Sequence, residues 1–251
     1  MADAEFQLDF GSVYVVGSIG SSGDLLDSTA TKALHSCDIA EIRLDLLRLE
    51  GGEIDPTSWS HLAGFPLLFT ARRLEEGGAG ALDAETRMAM LMRILDEAAL
   101  IDIEVASIGE MTPLIELLGS RGIPWIASYH DFQRLPDRAT LEAAKNLAIE
   151  AGATVFKAAA FLSTPHDIAT LTDFQLDPHE IPVSTMGMGP LAPVSRLLCA
   201  QAGSILNYGY LGKTATAPGQ WDCALLKTAI SRLSSIKNQH TLTDHIHRCI
   251  G

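Results

Sequence analysis

Metal and disulfide frameworks are missing from this sequence. Its four cysteines, Cys37, Cys199, Cys223 and Cys249, form no CxxC pair, and a chain this long buries enough surface to fold without covalent staples. Reduced thiols are expected, with no bound metal. His245, His247 and Cys249 in the terminal DHIHRCI have no partner cluster elsewhere, so they read as part of a surface tail. Positive charge is also short: 18 basic residues face 31 acidic ones, a formal charge of -13. Such a field repels nucleic acid and anionic lipid, which excludes both as expected partners. No run of 18 uncharged apolar residues occurs, and MADAEFQLDF lacks the basic and apolar stretches of an export signal; a cytoplasmic protein with no membrane span is expected. The glycines of GSIGSSG (Gly17, Gly20 and Gly23) miss the GxGxxG spacing of a dinucleotide site. No internal repeat, low-complexity tract or Pro/Gly-rich linker marks a domain boundary.

What is present is a hydrophobic content of 47%, enough for a large aliphatic core. Eight short apolar runs alternate with helical patterns: VYVVGSI, CDIAEIRLDLL, PLLFTARR, LIDIEVAS, IPWIASYH, ATVFKAAA, IPVSTMG and GSILNYGYL. The intervening segments, such as residues 83–97 and 136–150, carry apolar residues at helical spacing. Eight strand-helix units with right-handed crossovers predict an α/β fold, a single-domain (β/α)₈ TIM barrel over residues 1–251. A short N-terminal segment (1–11) and a C-terminal tail (about 238–251) flank it.

Several of these apolar strands carry charges. Alternation places Glu41, Arg43 and Asp45 of EIRLD on one face. Asp102 and Glu104 share a face of IDIEV, Arg72 follows FTA, His130 ends IASYH and Lys157 ends ATVF. Charges at that depth are tolerable only when paired or facing a wet cleft. A buried ion-pair network accounts well for Asp102, and for Glu104 it stands level with a functional role. For Lys157 and His130 the expectation is catalysis, since barrel enzymes draw their reactive groups from the C-terminal strand ends. Arg196 in the helix after the seventh strand and Gln220 in the loop after the eighth reach the same mouth.

Taken in order, EIRLD, TARRLEEGG, IDIE, SYHDF, VFK, STMGM, SR, GS and APGQ resemble the type I 3-dehydroquinate dehydratases over nearly the whole chain. The resemblance implies a hydro-lyase of the shikimate pathway that dehydrates 3-dehydroquinate without a cofactor, in a cytoplasmic homodimer. It makes Lys157 the Schiff-base lysine, His130 the general acid/base and Glu76 the carboxylate that orients the histidine. It makes Arg196 the partner of the substrate carboxylate. Glu41, Arg43, Arg72 and Gln220 fall on positions that hold ring hydroxyls, and Ser18 matches a further hydroxyl contact. Met186 and Met188 fall on apolar pocket positions. Thr216 stands where serine is common, Tyr208 where phenylalanine is frequent, and Leu135 where threonine is usual. The family's N-terminal hairpin is shortened here to residues 5–11.

The chemistry fits those residue types. An iminium on Lys157 is an electron sink for the enamine left by deprotonation. The attacking amine must be neutral, so its pKa of about 10.4 has to fall toward ~7–8, a change of about 4 kcal/mol. Burial among Val155, Phe156 and Ala158 and nearby arginine charge are the expected causes. One histidine titrating near neutrality suits both proton transfers. Two alternatives are an aldolase-like Schiff-base barrel enzyme and a non-catalytic metabolite sensor on the same fold.

Overall fold

The computed structural model describes residues 6–51 and 54–234. Nine parallel strands run through the described residues: β1 (Tyr14–Ile19), β2 (Ile39–Arg43), β3 (Leu67–Thr70), β4 (Leu100–Glu104), β5 (Trp125–Asp131), β6 (Val155–Phe161), β7 (Val183–Met188), β8 (Leu206–Tyr210) and β9 (Trp221–Asp222). Helices cover them: α1 (Ser22–Asp27), α2 (Ala30–Ser36), α3 (Leu44–Leu49), α4 (Ala84–Met92), α5 (Thr112–Arg121), α6 (Arg138–Glu150), α7 (Pro165–Leu176) and α8 (Ala192–Gln201). A last helix, α9, runs from 223 to the end of the described residues at 234. The strand order β7-β6-β5-β4-β3-β2-β1-β8-β9 is that of a rolled sheet. Its seam closes where Ile205 N donates to Val183 O at 3.3 Å and Leu206 N to Ser184 Oγ at 2.8 Å. The fold is the expected TIM barrel, with the two-residue β9 as an added edge beside β8.

Helix boundaries follow local chemistry. Asp137 caps α6 by accepting from Thr140 N, and Thr164 with Asp167 forms a capping box on α7. The helical pattern expected over 83–97 is helix only through Met92; residues 93–97 are turns that bring the chain back to β4. EIRLD is not wholly strand either. Arg43 is already the residue before α3, and Asp45 sits in the first turn of that helix.

Two apolar layers hold the barrel. Outward strand residues such as Ile42, Phe69, Ile103 and Phe156 are buried against the helices. Inside, Val16, Ile39, Leu68, Leu100, Ile126, Val155 and Leu206 form the floor. Each such aliphatic or aromatic side chain contributes roughly 1.5–3 kcal/mol by leaving water. Two strand steps further on, the inward positions turn polar: Ile39 is followed by Glu41, Leu68 by Thr70, Leu100 by Asp102, Ile126 by Ser128 and Val155 by Lys157. The apolar floor thus supports the polar upper end. The projected C-terminal tail, with His245, His247 and Cys249, lies outside the described residues, as does most of the N-terminal half of segment 1–11.

Candidate active site

Lys157, His130, Glu76 and Arg196 line one cavity of about 470 Å³, its open mouth included, at the C-terminal end of the barrel, together with Ser18, Glu41, Arg43, Arg72, Met186, Met188, Tyr208, Thr216 and Gln220. Lys157 is the third of seven residues in β6, in register with Ser128 and Ser184. It therefore stands mid-strand rather than at the strand end, and its long stem carries the nitrogen up to the cavity. There Nζ donates to Asp102 Oδ2 at 2.7 Å and lies 4.2 Å from the centre of the Tyr208 ring. Burial pushes the Lys157 pKa down, Asp102 opposes this, and Arg72 adds to the fall. The Arg43 guanidinium is held at both ends by Asp45, at 2.9 and 2.8 Å.

Asp102 is the hub of a buried network. Its Oδ1 accepts from Ser128 Oγ at 2.6 Å and lies 2.8 Å from Arg72 Nη1. Burial alone would raise its pKa, but Arg72 and then Lys157 hold it well below the usual carboxylate range. Glu104 bonds Arg72 Nη1 at 3.2 Å, Arg73 N at 2.9 Å, Arg87 Nη1 at 2.8 Å and Ser107 Oγ at 3.0 Å. Glu104 is thereby a structural anchor. Arg72 lines the cavity as the hydroxyl-binding and pocket-shaping expectation requires, and its Nη1 is held by Asp102, Glu104 and Ser128. Pairing of this kind is what makes five buried charges, Lys157, Asp102, Arg72, Glu104 and Arg87, tolerable.

Opposite Lys157, His130 on β5 meets Glu76. Oε2 of the carboxylate is 2.9 Å from His130 Nδ1 and accepts from the His130 backbone N at 3.0 Å. The glycine pair of LEEGG delivers that carboxylate: Gly77 has φ +84°, where a Cβ would strike the Phe132 ring, and a Cβ on Gly78 would lie 2.2 Å from Arg72 O. Burial, with Arg72 and Lys157, holds the His130 pKa well below the usual value, although Asp102 opposes. Burial also pushes Glu76 up to about 7 against the pull of Arg72, with Glu104 adding to the rise. The group titrating near neutrality is thus Glu76, where the sequence pointed to His130.

Arg196 on α8 is buried, not a helix-surface residue. One nitrogen, Nη1, donates to Tyr208 O at 2.6 Å and lies 3.6 Å from Met186 Sδ. Its Nε is buried without a partner among the described residues, and burial lowers its pKa to about 10, Cys199 opposing. Around the rim, Ser18 Oγ and Thr70 Oγ1 both donate to Glu41, the latter at 2.7 Å. Thr216 N and Oγ1 each donate to Gln220 Oε1 at 2.9 Å. Met188 completes the apolar wall. Among the described residues no group of three or more His, Cys, Asp or Glu converges as a metal set, and no helix is long and apolar enough to cross a membrane.

The family model for type I 3-dehydroquinase matches residues 18–237. The chain belongs to the type I 3-dehydroquinase family. A 3-dehydroquinate dehydratase of Methanothrix thermoacetophila is 32% identical over 221 residues, covering 88% of this chain and 92% of the relative. One of Methanocella arvoryzae is 32% identical over 207 residues, covering 82% and 90%. The crystal structure of the Geobacillus kaustophilus 3-dehydroquinate dehydratase superposes with a TM-score of 0.78 over 89% of this chain and 92% of that one; at 23% identity this likeness speaks for the fold. Membership in the dehydroquinase family displaces the aldolase-like and sensor alternatives.

Sequence reasoning missed several members of this site. Ser128 precedes His130 by two positions on the same face of β5, and Thr70 follows the inward Leu68 at the same interval on β3, so alternation alone would have found them. Phe132 and Ala159 also line the cavity. Arg87, on α4, gave no signal, because a helical arginine reads as surface.

Proposed function

We propose that this dehydroquinase converts 3-dehydroquinate to 3-dehydroshikimate, a step of the shikimate pathway, through a Schiff base on Lys157. The observation that carries the reading is a buried lysine nitrogen and a carboxylate-bound histidine lining one cavity with an arginine whose Nε has no partner among the described residues. Lys157 Nζ adds to the substrate ketone and, with loss of water, forms the iminium; burial, by disfavouring the ammonium, prepares the free amine for attack. Asp102, at 2.7 Å, accepts the N–H and serves as counter-ion to the iminium. Nδ1 of His130 is engaged by Glu76, so Nε2 is left to take the α-proton and later return it to the departing hydroxyl. Hydrolysis of the product iminium frees Lys157. Arg196, buried and in no ion pair among the described residues, receives the substrate carboxylate, while Glu41, Arg43, Thr216 and Gln220 surround its hydroxyls. The family resemblance supports a homodimer resident in the cytoplasm.

Borohydride reduction in the presence of 3-dehydroquinate, followed by peptide mass mapping, tests this. An adduct on Lys157 is expected, and a protein that turns over substrate yet yields none would overturn the covalent route. For Arg196→Lys the point charge survives but the planar fork does not. KM for 3-dehydroquinate is expected to rise about tenfold to a hundredfold, in line with the ~1.5–3 kcal/mol of a charge-assisted hydrogen bond, with kcat changing less; steady-state kinetics with an unaltered KM would remove Arg196 from the carboxylate site.

A further inference from the structure

Asp102 bonds one side of the Lys157 nitrogen, and the ring of Tyr208 faces it from β8. Among the described residues no group bonds the Tyr208 hydroxyl, whose Oη is buried. The contribution of this residue is therefore its ring face rather than its polar end. A desolvated cation over an aromatic face is held by the ring quadrupole, and unlike a hydrogen bond that attraction does not depend on an N–H direction.

The distinction bears on the reaction. The Lys157 nitrogen is cationic in the resting ammonium, with three N–H groups, neutral as the attacking amine, and cationic again in the iminium, with one. Hydrogen-bond partners are lost along the way, whereas a ring at 4.2 Å acts on the charge itself. We infer that Tyr208 is a positioning residue for the Lys157 nitrogen, its ring serving as a platform that favours the ammonium and then the iminium. This rests on the Schiff-base role of Lys157. The other charged groups acting on Lys157 are Asp102 on β4, Arg72 after β3, Glu41 on β2 and His130 on β5. Asp102 and Glu41 favour its cation and Arg72 opposes it, so the ring works alongside the carboxylates.

The test compares Tyr208→Leu and Tyr208→Met with Tyr208→Phe, each in the whole protein. The quantities read are the pH midpoint for borohydride trapping of the 3-dehydroquinate adduct and the trapped fraction at saturating substrate. Loss of the ring is expected to shift the midpoint down by about one pH unit and to cut iminium stability about tenfold. Tyr208→Phe restores both, and it raises the melting temperature by removing a buried hydroxyl that has no partner. Leucine leaves a cavity, so methionine is the control for packing: a folded methionine variant with unchanged midpoint and trapped fraction would overturn the inference. A phenylalanine variant that fails to restore them would move the effect to the hydroxyl and overturn it equally. No adduct in the unsubstituted protein would instead overturn the Schiff-base reading itself, and the iminium half of this one with it.

Discussion

Lys157→Met is expected to lower kcat/KM by about 10⁴-fold or more, since removal of a covalent nucleophile costs on this scale in other enzymes, and to destabilise the protein as well. The two effects have different sources. The first is chemical: methionine fills much of the same space but cannot form the iminium that makes the α-proton removable. The second is electrostatic. Asp102 is buried and ionised, and Lys157 and Arg72 are its two cationic partners. Deleting one partner of a buried ion pair costs about 3–5 kcal/mol where the remaining charge is left alone; because Arg72 remains, the lower end, about 3 kcal/mol, is expected. A second substitution, Asp102→Asn, separates the effects. In the double variant the uncompensated charge is gone, so much of the stability returns while activity stays lost. Denaturant titrations of the wild type, both single variants and the double variant give the coupling directly. Strictly additive losses would show that Lys157 and Asp102 do not depend on one another, and near-native turnover by Lys157→Met would end the covalent mechanism.

The barrel was legible because its signal is redundant. Eight apolar runs separated by helical patterns tolerate errors at individual boundaries, and the errors that occurred were of that kind: Asp45 was given to a strand and belongs to α3. The consequence was local but chemical. On a strand face Asp45 would be a third inward charge in EIRLD; in the first helical turn it folds back onto Arg43 and also accepts from Ala79 N at 3.0 Å. Lys157 shows a second limit. A sequence gives the order of residues along β6 but not how far the strand runs past the lysine. The four residues from Ala158 to Phe161 continue as strand, which sets the nitrogen deep in the barrel beside Asp102 rather than at the rim.

Electrostatic balance was the least legible feature. Residue types pointed to Glu76 beside His130, and the contact is there, but which of the two titrates depends on burial and on every charge nearby. Arg72 and Lys157 disfavour the imidazolium of His130, while burial and Glu104 disfavour the carboxylate of Glu76. These influences come from strands β3, β4 and β6, and no motif spacing encodes them.

The same balance predicts how activity depends on pH. Below about pH 7 Glu76 carries a proton, and its O–H can donate to His130 Nδ1. That places the imidazole hydrogen on Nε2, the nitrogen that must accept the α-proton. Above pH 7 the carboxylate accepts from Nδ1–H and Nε2 becomes the free base. kcat/KM is therefore expected to rise through about pH 7 with Glu76 as its source, because His130, held below its ordinary range, is already neutral there. Stability runs the other way: the folded-state value of Glu76 lies above the unfolded 4.5, so its contribution to stability falls as pH rises from 4.5 through about 7. Glu76→Gln keeps a carbonyl oxygen to orient the ring but cannot ionise. It should lose the limb near pH 7 and run more slowly at every pH. His130→Ala should go further, lowering kcat by about 10³–10⁴-fold while the borohydride adduct on Lys157 still forms, because imine formation does not require the α-proton to move. A Glu76→Gln profile that retains the limb would assign it to another group, Lys157 first. If His130→Ala kept its turnover, the proton carrier would have to be sought elsewhere in the cavity.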